Sequence, residues 1–153
     1  MKLAEALQER SDLNTAIRQL ETRLISNAVY QEGGEPAEDP AELLKELDCC
    51  TDRLASLIAQ INLTNSRTVK NGKTITELIA LRDTIQLKLS VYRNLNQNAV
   101  NASQPRYTRS EIRTLSAVNI REQQKKIDEM SKQFRLIDSA IQQLNWETEL
   151  ITK

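Results

Sequence analysis

The sequence contains no histidine, and glycine and proline occur only three times each. Without an imidazole, a histidine-activated serine or cysteine, the usual zinc sites and the Glu-x-x-His di-iron site cannot form. A glycine-rich phosphate loop is also excluded, because Gly33 and Gly34 use two of the three glycines in one turn. These shortages favour a protein that is not an enzyme, and we expect no cofactor.

Aromatic residues make up only 3% of the chain, and the two cysteines, Cys49 and Cys50, are adjacent. A disulfide between neighbouring cysteines strains the peptide that joins them, so we expect two free thiols in a reducing compartment. No apolar stretch reaches the roughly 18 residues that a membrane-spanning helix needs. Residues 1–10 are mixed and charged, unlike a signal peptide. The sequence therefore predicts a cytoplasmic protein that does not contact membranes.

Apolar residues recur in steps of three and four along four segments, which is the spacing of one helix face. The predicted helices cover about 3–28, 40–65, 75–97 and 120–144. The core row of the second helix is Leu43, Leu47, Cys50, Leu54, Leu57 and Ile61. Such regular spacing is typical of coiled coils. We predict one all-α domain over residues 1–153, an elongated antiparallel coiled coil or bundle of four long helices.

Turn signals separate the predicted helices. Asp39 followed by Pro40 is typical of an N-cap and the first residue of a helix. Asn71-Gly72 is the strongest short turn signal in the chain. Residues 106–118 are the least helical part, and their partial alternation of polar and apolar residues favours an irregular or strand-like segment. A short helix opened by Ser110 is the alternative.

The third helix is predicted to be the most buried, because residues such as Leu87 and Val91 widen its apolar stripe. Trp146, the only tryptophan, is expected to close one end of the bundle rather than to stack on a ligand. A bundle with so few aromatic residues has a small core. We therefore expect a homo-oligomer, in which self-association completes that core.

Basic residues concentrate in residues 105–126, although the chain as a whole has no net charge. The candidate binding residues of this segment are Arg106, Tyr107, Arg109, Arg113, Lys125 and Lys126. Basic side chains around an aromatic residue can bind RNA or single-stranded DNA through phosphates and stacking. Overall neutrality favours the alternative, in which this segment meets the acidic segment 30–52 of the same or a neighbouring subunit. Replacing Arg106 and Arg109 by glutamate distinguishes the two interpretations. Assembly is lost if the basic segment meets the acidic segment, whereas nucleic-acid binding is lost if the basic segment binds nucleic acid.

The acidic segment 30–52 holds eight carboxylates and one lysine, and Glu38, Glu42 and Glu46 repeat every fourth residue. Helical nucleotide pyrophosphatases use such repeats to hold magnesium around a triphosphate. They need a matching carboxylate pair on a facing helix, and Glu77 and Asp83 are too far apart to supply it. We interpret the segment as a solvated helix start that the helix dipole favours. A metal-dependent nucleotide phosphohydrolase remains the third hypothesis.

Several longer motifs carry a family resemblance. They are Gln31–Pro40, Ile61–Asn65, Arg106–Ile112 and Leu144–Leu150. Together they resemble a family of small uncharacterised bacterial proteins often labelled septicolysin, and the likeness spans nearly the whole chain. The label implies a thiol-activated pore-forming toxin, yet the sequence has no signal peptide, long alternating strand or exposed apolar run from which to build a pore. The resemblance implies no activity.

The leading hypothesis is therefore a cytosolic oligomeric scaffold or interaction protein, with itself and an unidentified protein as partners. A nucleic-acid-binding module using the basic segment is the alternative.

Overall fold

The structure, a computed structural model, describes residues 1–103 and 112–152. Four helices and one two-stranded sheet make up its regular structure. They are α1 (Leu3–Ser26), α2 (Pro40–Arg67), β1 (Val69–Lys70), β2 (Lys73–Thr74), α3 (Ile75–Ser103) and α4 (Ile120–Glu147). The helical fold is therefore confirmed. The described residues divide into two compact units, a first unit of residues 1–74 and 144–152 and a second unit between residues 75 and 143.

In the first unit, α1 and α2 run antiparallel. Arg53 binds Glu9 through two nitrogens, with Nε–Oε1 2.6 Å and Nη2–Oε2 2.8 Å, while Arg23 near the end of α1 binds Glu38 just before α2. The buried apolar residues of the two helices are Leu3, Ala6, Leu20, Leu43, Leu57 and Ile61. Leu43, Leu57 and Ile61 belong to the predicted core row of the second helix, because a helix buries the face on which its apolar side chains recur.

The start of α2 is fixed by its own cap. The Asp39 side chain accepts a hydrogen bond of 2.9 Å from the Ala41 amide, and Pro40 is the first helical residue. A proline is tolerated there because the first amides of a helix have no intrahelical acceptor. The predicted N-cap is thus confirmed.

The turn after α2 is a short hairpin. β1 and β2 pair antiparallel, with Val69 opposite Thr74 and Lys70 opposite Lys73. Asn71 and Gly72 have φ angles of 52° and 76°, the left-handed conformation that a type I′ hairpin turn requires at both positions. The sequence predicts this turn but not the pairing, since two-residue strands are too short to show alternation.

In the second unit, side-chain hydrogen bonds join α3 to α4. Arg82 Nη1 lies 3.3 Å from Asp138 Oδ1, Arg93 Nη2 lies 3.2 Å from Ser131 Oγ, and Asn96 Nδ2 lies 3.2 Å from Gln124 Oε1. The positions rise along α3 as they fall along α4, so the helices are antiparallel. Their buried apolar residues include Ile75, Leu89, Ile127 and Ile141.

Helix α3 continues to Ser103, beyond its predicted end near residue 97. Apart from Val100, residues 96–103 are polar or small, and none is glycine or proline, so nothing in them breaks a helix that has already formed. Residues 112–119, at the end of the segment predicted to be irregular or strand-like, form neither helix nor strand. Residues 106–111 of that segment lie outside the described residues.

Two burial predictions are wrong. Leu87 and Val91 are 70% and 64% exposed, so they do not widen the buried stripe of α3. They lie on the opposite side of the helix from Leu89, because each residue turns the helix by about 100°. Trp146 is 65% exposed, whereas its neighbour Asn145 is buried. The register of α4 turns the asparagine inward and leaves the tryptophan outside.

The last described residues complete the first unit. The Leu3 amide donates to Thr148 O at 2.9 Å, and the Leu150 amide donates to Met1 O at the same distance. Lys2 Nζ lies 2.7 Å from Glu149 Oε1, and this hydrogen bond holds the pKa of Glu149 below its ordinary value. Residues 1–3 and 148–150 thus form a backbone-bonded clasp in which Leu3 and Leu150 are buried.

No helix within the described residues is both long enough and apolar enough to cross a membrane.

Candidate functional site

The predicted basic site is only partly described. Arg106, Tyr107 and Arg109 lie outside the described residues. Arg113 lies in the irregular stretch before α4, whereas Lys125 and Lys126 lie in the first two turns of that helix, and all three are exposed. None of these three forms an ion pair with a described residue. Their charges are available to an anionic partner.

The acidic segment is organised around one arginine. Arg23 Nε donates to Glu38 Oε2 at 3.1 Å, and Arg23 Nη1 lies 3.6 Å from Glu46 Oε2. The hydrogen bond from Arg23 holds the pKa of Glu38 below its ordinary value of 4.5. The Glu38 amide in turn donates to the side chain of Asn27, which is buried. Arg23 therefore links the end of α1 to the start of α2 and supplies the positive charge between two of the predicted metal ligands.

The remaining carboxylate of that repeat, Glu42, pairs with Lys45 at 2.6 Å. All three glutamates line one groove of about 510 Å³, together with Arg23, Lys45 and the exposed Cys49. Within residues 1–103 and 112–152, no three histidine, cysteine, aspartate or glutamate side chains are grouped so that they could hold a metal ion. Both cysteines are free thiols, and the predicted core residue Cys50 is half-buried.

An exposed apolar surface lies on α3 and is called here the α3 apolar face. It consists of Leu87, Val91 and Leu95, which are 70%, 64% and 43% exposed. Residues four apart lie above one another on a helix, so the three side chains form a continuous row. This row is a larger apolar surface than an isolated exposed leucine, which is normal in proteins.

A groove of about 490 Å³ runs between α3 and α4 in the second unit and is called here the α3–α4 groove. Its lining residues are Gln86, Leu89, Ser90, Arg93 and Asn94 of α3 and Ser131, Phe134 and Arg135 of α4. Leu89 is 4% exposed and forms the floor with the half-buried Phe134, the only phenylalanine. The lining includes two arginines and no carboxylate. The arrangement combines an apolar floor with convergent polar groups, which is characteristic of small-molecule sites.

Sequence reasoning missed this groove because its polar residues are spaced like the solvated face of each helix. The available signal was the adjacency of Phe134 and Arg135, combined with Arg93 on the preceding helix. That signal becomes informative only when the pairing of α3 with α4 is known, since the register between two helices decides which residues share a groove.

Comparisons with known proteins identify relatives but no activity. The crystal structure of a functionally unknown conserved protein from Corynebacterium diphtheriae is similar to this chain, with a TM-score of 0.89 and 39% sequence identity over 99% of each chain. The comparison with curated proteins gave no match. Neither result concerns the septicolysin label, which stays a prediction from sequence.

The model of the family described as "Family of unknown function (DUF6847)" matches residues 10–150. This match covers all four helices except the first turns of α1. The chain therefore belongs to the DUF6847 family.

Proposed function

We propose that the protein is a cytosolic interaction protein that forms homo-oligomers through the α3 apolar face. The observation that supports this proposal is the exposed row of Leu87, Val91 and Leu95. Contact between two such rows removes apolar surface from water, which is the main favourable term in most protein association. In the proposed oligomer, α3 of one copy lies against α3 of the other as an antiparallel coiled-coil pair, and the charged segments remain free for an unidentified protein partner.

The spacing of the row suits a second copy of the same helix. Leu87 and Leu95 are each four residues from Val91, so a two-fold axis at Val91 brings each leucine opposite the other leucine of the second copy. Two-fold interfaces require such self-complementarity. The charged residues between positions 84 and 98 are Lys88 and Arg93, and neither belongs to the row.

The size of the row sets the expected strength of the contact. Six side chains that are each about half exposed can contribute roughly 5–9 kcal/mol when buried. Association costs roughly 4–15 kcal/mol in lost translational and rotational freedom. The α3 apolar face alone therefore supports a reversible oligomer rather than a permanent one.

Val91→Glu is expected to shift the protein from oligomer to monomer. Each copy loses about 1.5 kcal/mol of apolar burial, and two carboxylates meet at the axis, so Kd should rise by about 100-fold or more. Sedimentation equilibrium over a range of protein concentrations measures this change. Leu136→Glu on α4 is the matched control, because Leu136 is equally exposed at 63% but lies on another helix. A wild-type monomer throughout the range, or an equal effect of both variants, would contradict the proposal.

Binding of nucleic acid is the second candidate, and it is favoured by Arg113, Lys125 and Lys126, which are exposed and form no ion pair with a described residue. Phosphate contacts of this kind weaken as salt rises, because bound counterions are released. If this function is correct, a fluorescently labelled single-stranded RNA binds at low salt, and Lys125→Glu weakens binding by about tenfold. Fluorescence anisotropy measures the affinity, and Arg10→Glu on α1 is the control for an exposed charge elsewhere. Absence of binding at low salt would remove this candidate.

A further inference from the structure

The α3–α4 groove is lined by residues that belong neither to the α3 apolar face nor to the predicted basic site. Its floor is apolar, with Leu89 buried and Phe134 half-buried. Its rim carries the hydroxyls of Ser90 and Ser131 and the guanidinium groups of two arginines. The volume of about 490 Å³ lies within the range of roughly 300–1,000 Å³ that is typical of small-molecule sites. The groove lies on a different side of α3 from the α3 apolar face, since it uses residues 86, 89, 90, 93 and 94 rather than 87, 91 and 95.

The two arginines of the groove differ from those that stabilise the fold. Arg23, Arg53 and Arg82 each bind a carboxylate, and those carboxylates satisfy their charge. In the part of the chain that the structure describes, Arg93 and Arg135 have no carboxylate partner. The groove therefore concentrates two uncompensated positive charges beside an apolar floor.

The guanidinium group of Arg93 is also held in place by a hydrogen bond. Its Nη2 donates to Ser131 Oγ at 3.2 Å, so one side of the guanidinium is anchored across the two helices. A guanidinium has five N–H donors, and the remaining donors of Arg93 stay available. A fixed planar fork of donors is suited to two parallel hydrogen bonds with a carboxylate or phosphate. Anchoring it before the ligand arrives reduces the entropy that binding must overcome.

We infer that the α3–α4 groove binds a small organic anion, in which a phosphate or carboxylate is attached to an apolar or aromatic body. Arg93 and Arg135 hold the anionic group, and the hydroxyls of Ser90 and Ser131, which line the same groove, add hydrogen bonds. Phe134 and Leu89 bury the body of the ligand, and an aromatic ring stacks on Phe134. The anionic group and the apolar body of the ligand both contribute to the affinity. Neither an inorganic anion nor a neutral ring alone therefore binds as tightly as the molecule that joins them.

Phenyl phosphate and phenylacetate are suitable probes, with inorganic phosphate and benzyl alcohol as the separate parts. Titration of the ¹⁵N-labelled full chain is followed by amide chemical shifts. Saturable shifts in residues 86–94 and 131–135 are expected with at least one joined probe, and the preferred probe distinguishes a phosphate ligand from a carboxylate ligand. Equal affinity for inorganic phosphate and phenyl phosphate, or no saturable shift with either joined probe, would overturn the proposal.

Variants locate the site. The double variant Arg93→Gln with Arg135→Gln should weaken binding by at least about tenfold, and Phe134→Leu should weaken the joined probes but not inorganic phosphate. Arg121→Gln is the matched control, because it removes an exposed charge from the same helix outside the groove. Thermal unfolding followed by circular dichroism verifies that each variant is folded. An effect of Arg121→Gln as large as that of the double variant would overturn the assignment, because general charge screening would then explain the shifts.

Discussion

Leu57→Ala is expected to lower the free energy of unfolding by about 2–5 kcal/mol. Leu57 is 0% exposed in α2, within the core that α2 forms with α1 in the first unit. Alanine loses the apolar burial of the removed carbons and leaves a cavity that antiparallel helices can only partly close. Urea unfolding measures the change when it is followed by far-UV circular dichroism and by the fluorescence of Trp146, which belongs to the same unit.

Leu44→Ala is the control on the same helix. Leu44 is 51% exposed, so its truncation should cost less than about 1 kcal/mol. The assigned register of α2 would be wrong if the two variants lost equal stability, because only one of the two leucines should face α1.

Thr64→Val is expected to cost about 1–3 kcal/mol, although valine has nearly the same shape as threonine. Thr64 is 0% exposed, and its Oγ1 accepts a hydrogen bond of 2.9 Å from the Ile151 amide while it donates to Gln60 O at 2.7 Å. Valine removes the acceptor and leaves the Ile151 amide without it in a part-buried position. The penalty arises from that unsatisfied amide rather than from lost packing.

Hydrogen exchange at the Ile151 amide measures this effect directly. The amide should be protected in the wild type, should exchange much faster in Thr64→Val, and should remain protected in Thr64→Ser, which keeps the hydroxyl. Protection that persists in the valine variant would indicate that the Ile151 amide has another acceptor, and the predicted loss of stability would then fail as well.

The sequence predicted the helical content because each helix has an uninterrupted apolar period. The Asp39-Pro40 start of α2 and the Asn71-Gly72 turn were also predictable, since both depend on local backbone chemistry. The end of α3 was not, because residues 96–103 neither favour nor break a helix strongly. The predicted antiparallel coiled coil is still a prediction, and so are the cytoplasmic location and the single domain.

Burial was harder to predict than helix formation. Leu87 and Val91 are aliphatic residues of the kind that fill a core, yet they are exposed, whereas Leu89 of the same helix is buried. Trp146 and Asn145 reverse the expectation that the larger aromatic residue is inside. A sequence gives the faces of a helix, whereas tertiary contacts decide which face is covered.

The candidate sites also differ in how far the sequence predicted them. Glu38, Glu42 and Glu46 were identified from their spacing, but no local pattern indicated that Arg23, fifteen residues before Glu38, would lie between two of them. Lys125 and Lys126 were predictable as exposed charges. The α3–α4 groove was not predictable, because Arg93 and Ser131 are 38 residues apart and meet only through the register of two helices.

The clasp between residues 1–3 and 148–150 affects how the chain can fold during synthesis. The ribosome makes Leu3 before Thr148 and Leu150, which become available only after the intervening residues have been translated. Closing so long a loop carries an entropic cost that grows with the logarithm of its length. α3 and α4 are closer together in the sequence than the two halves of the clasp are. If they pair first, the effective loop that the clasp has to close becomes shorter. The first unit can therefore fold completely only after residues 148–150 have been synthesised, however early α1 and α2 are made.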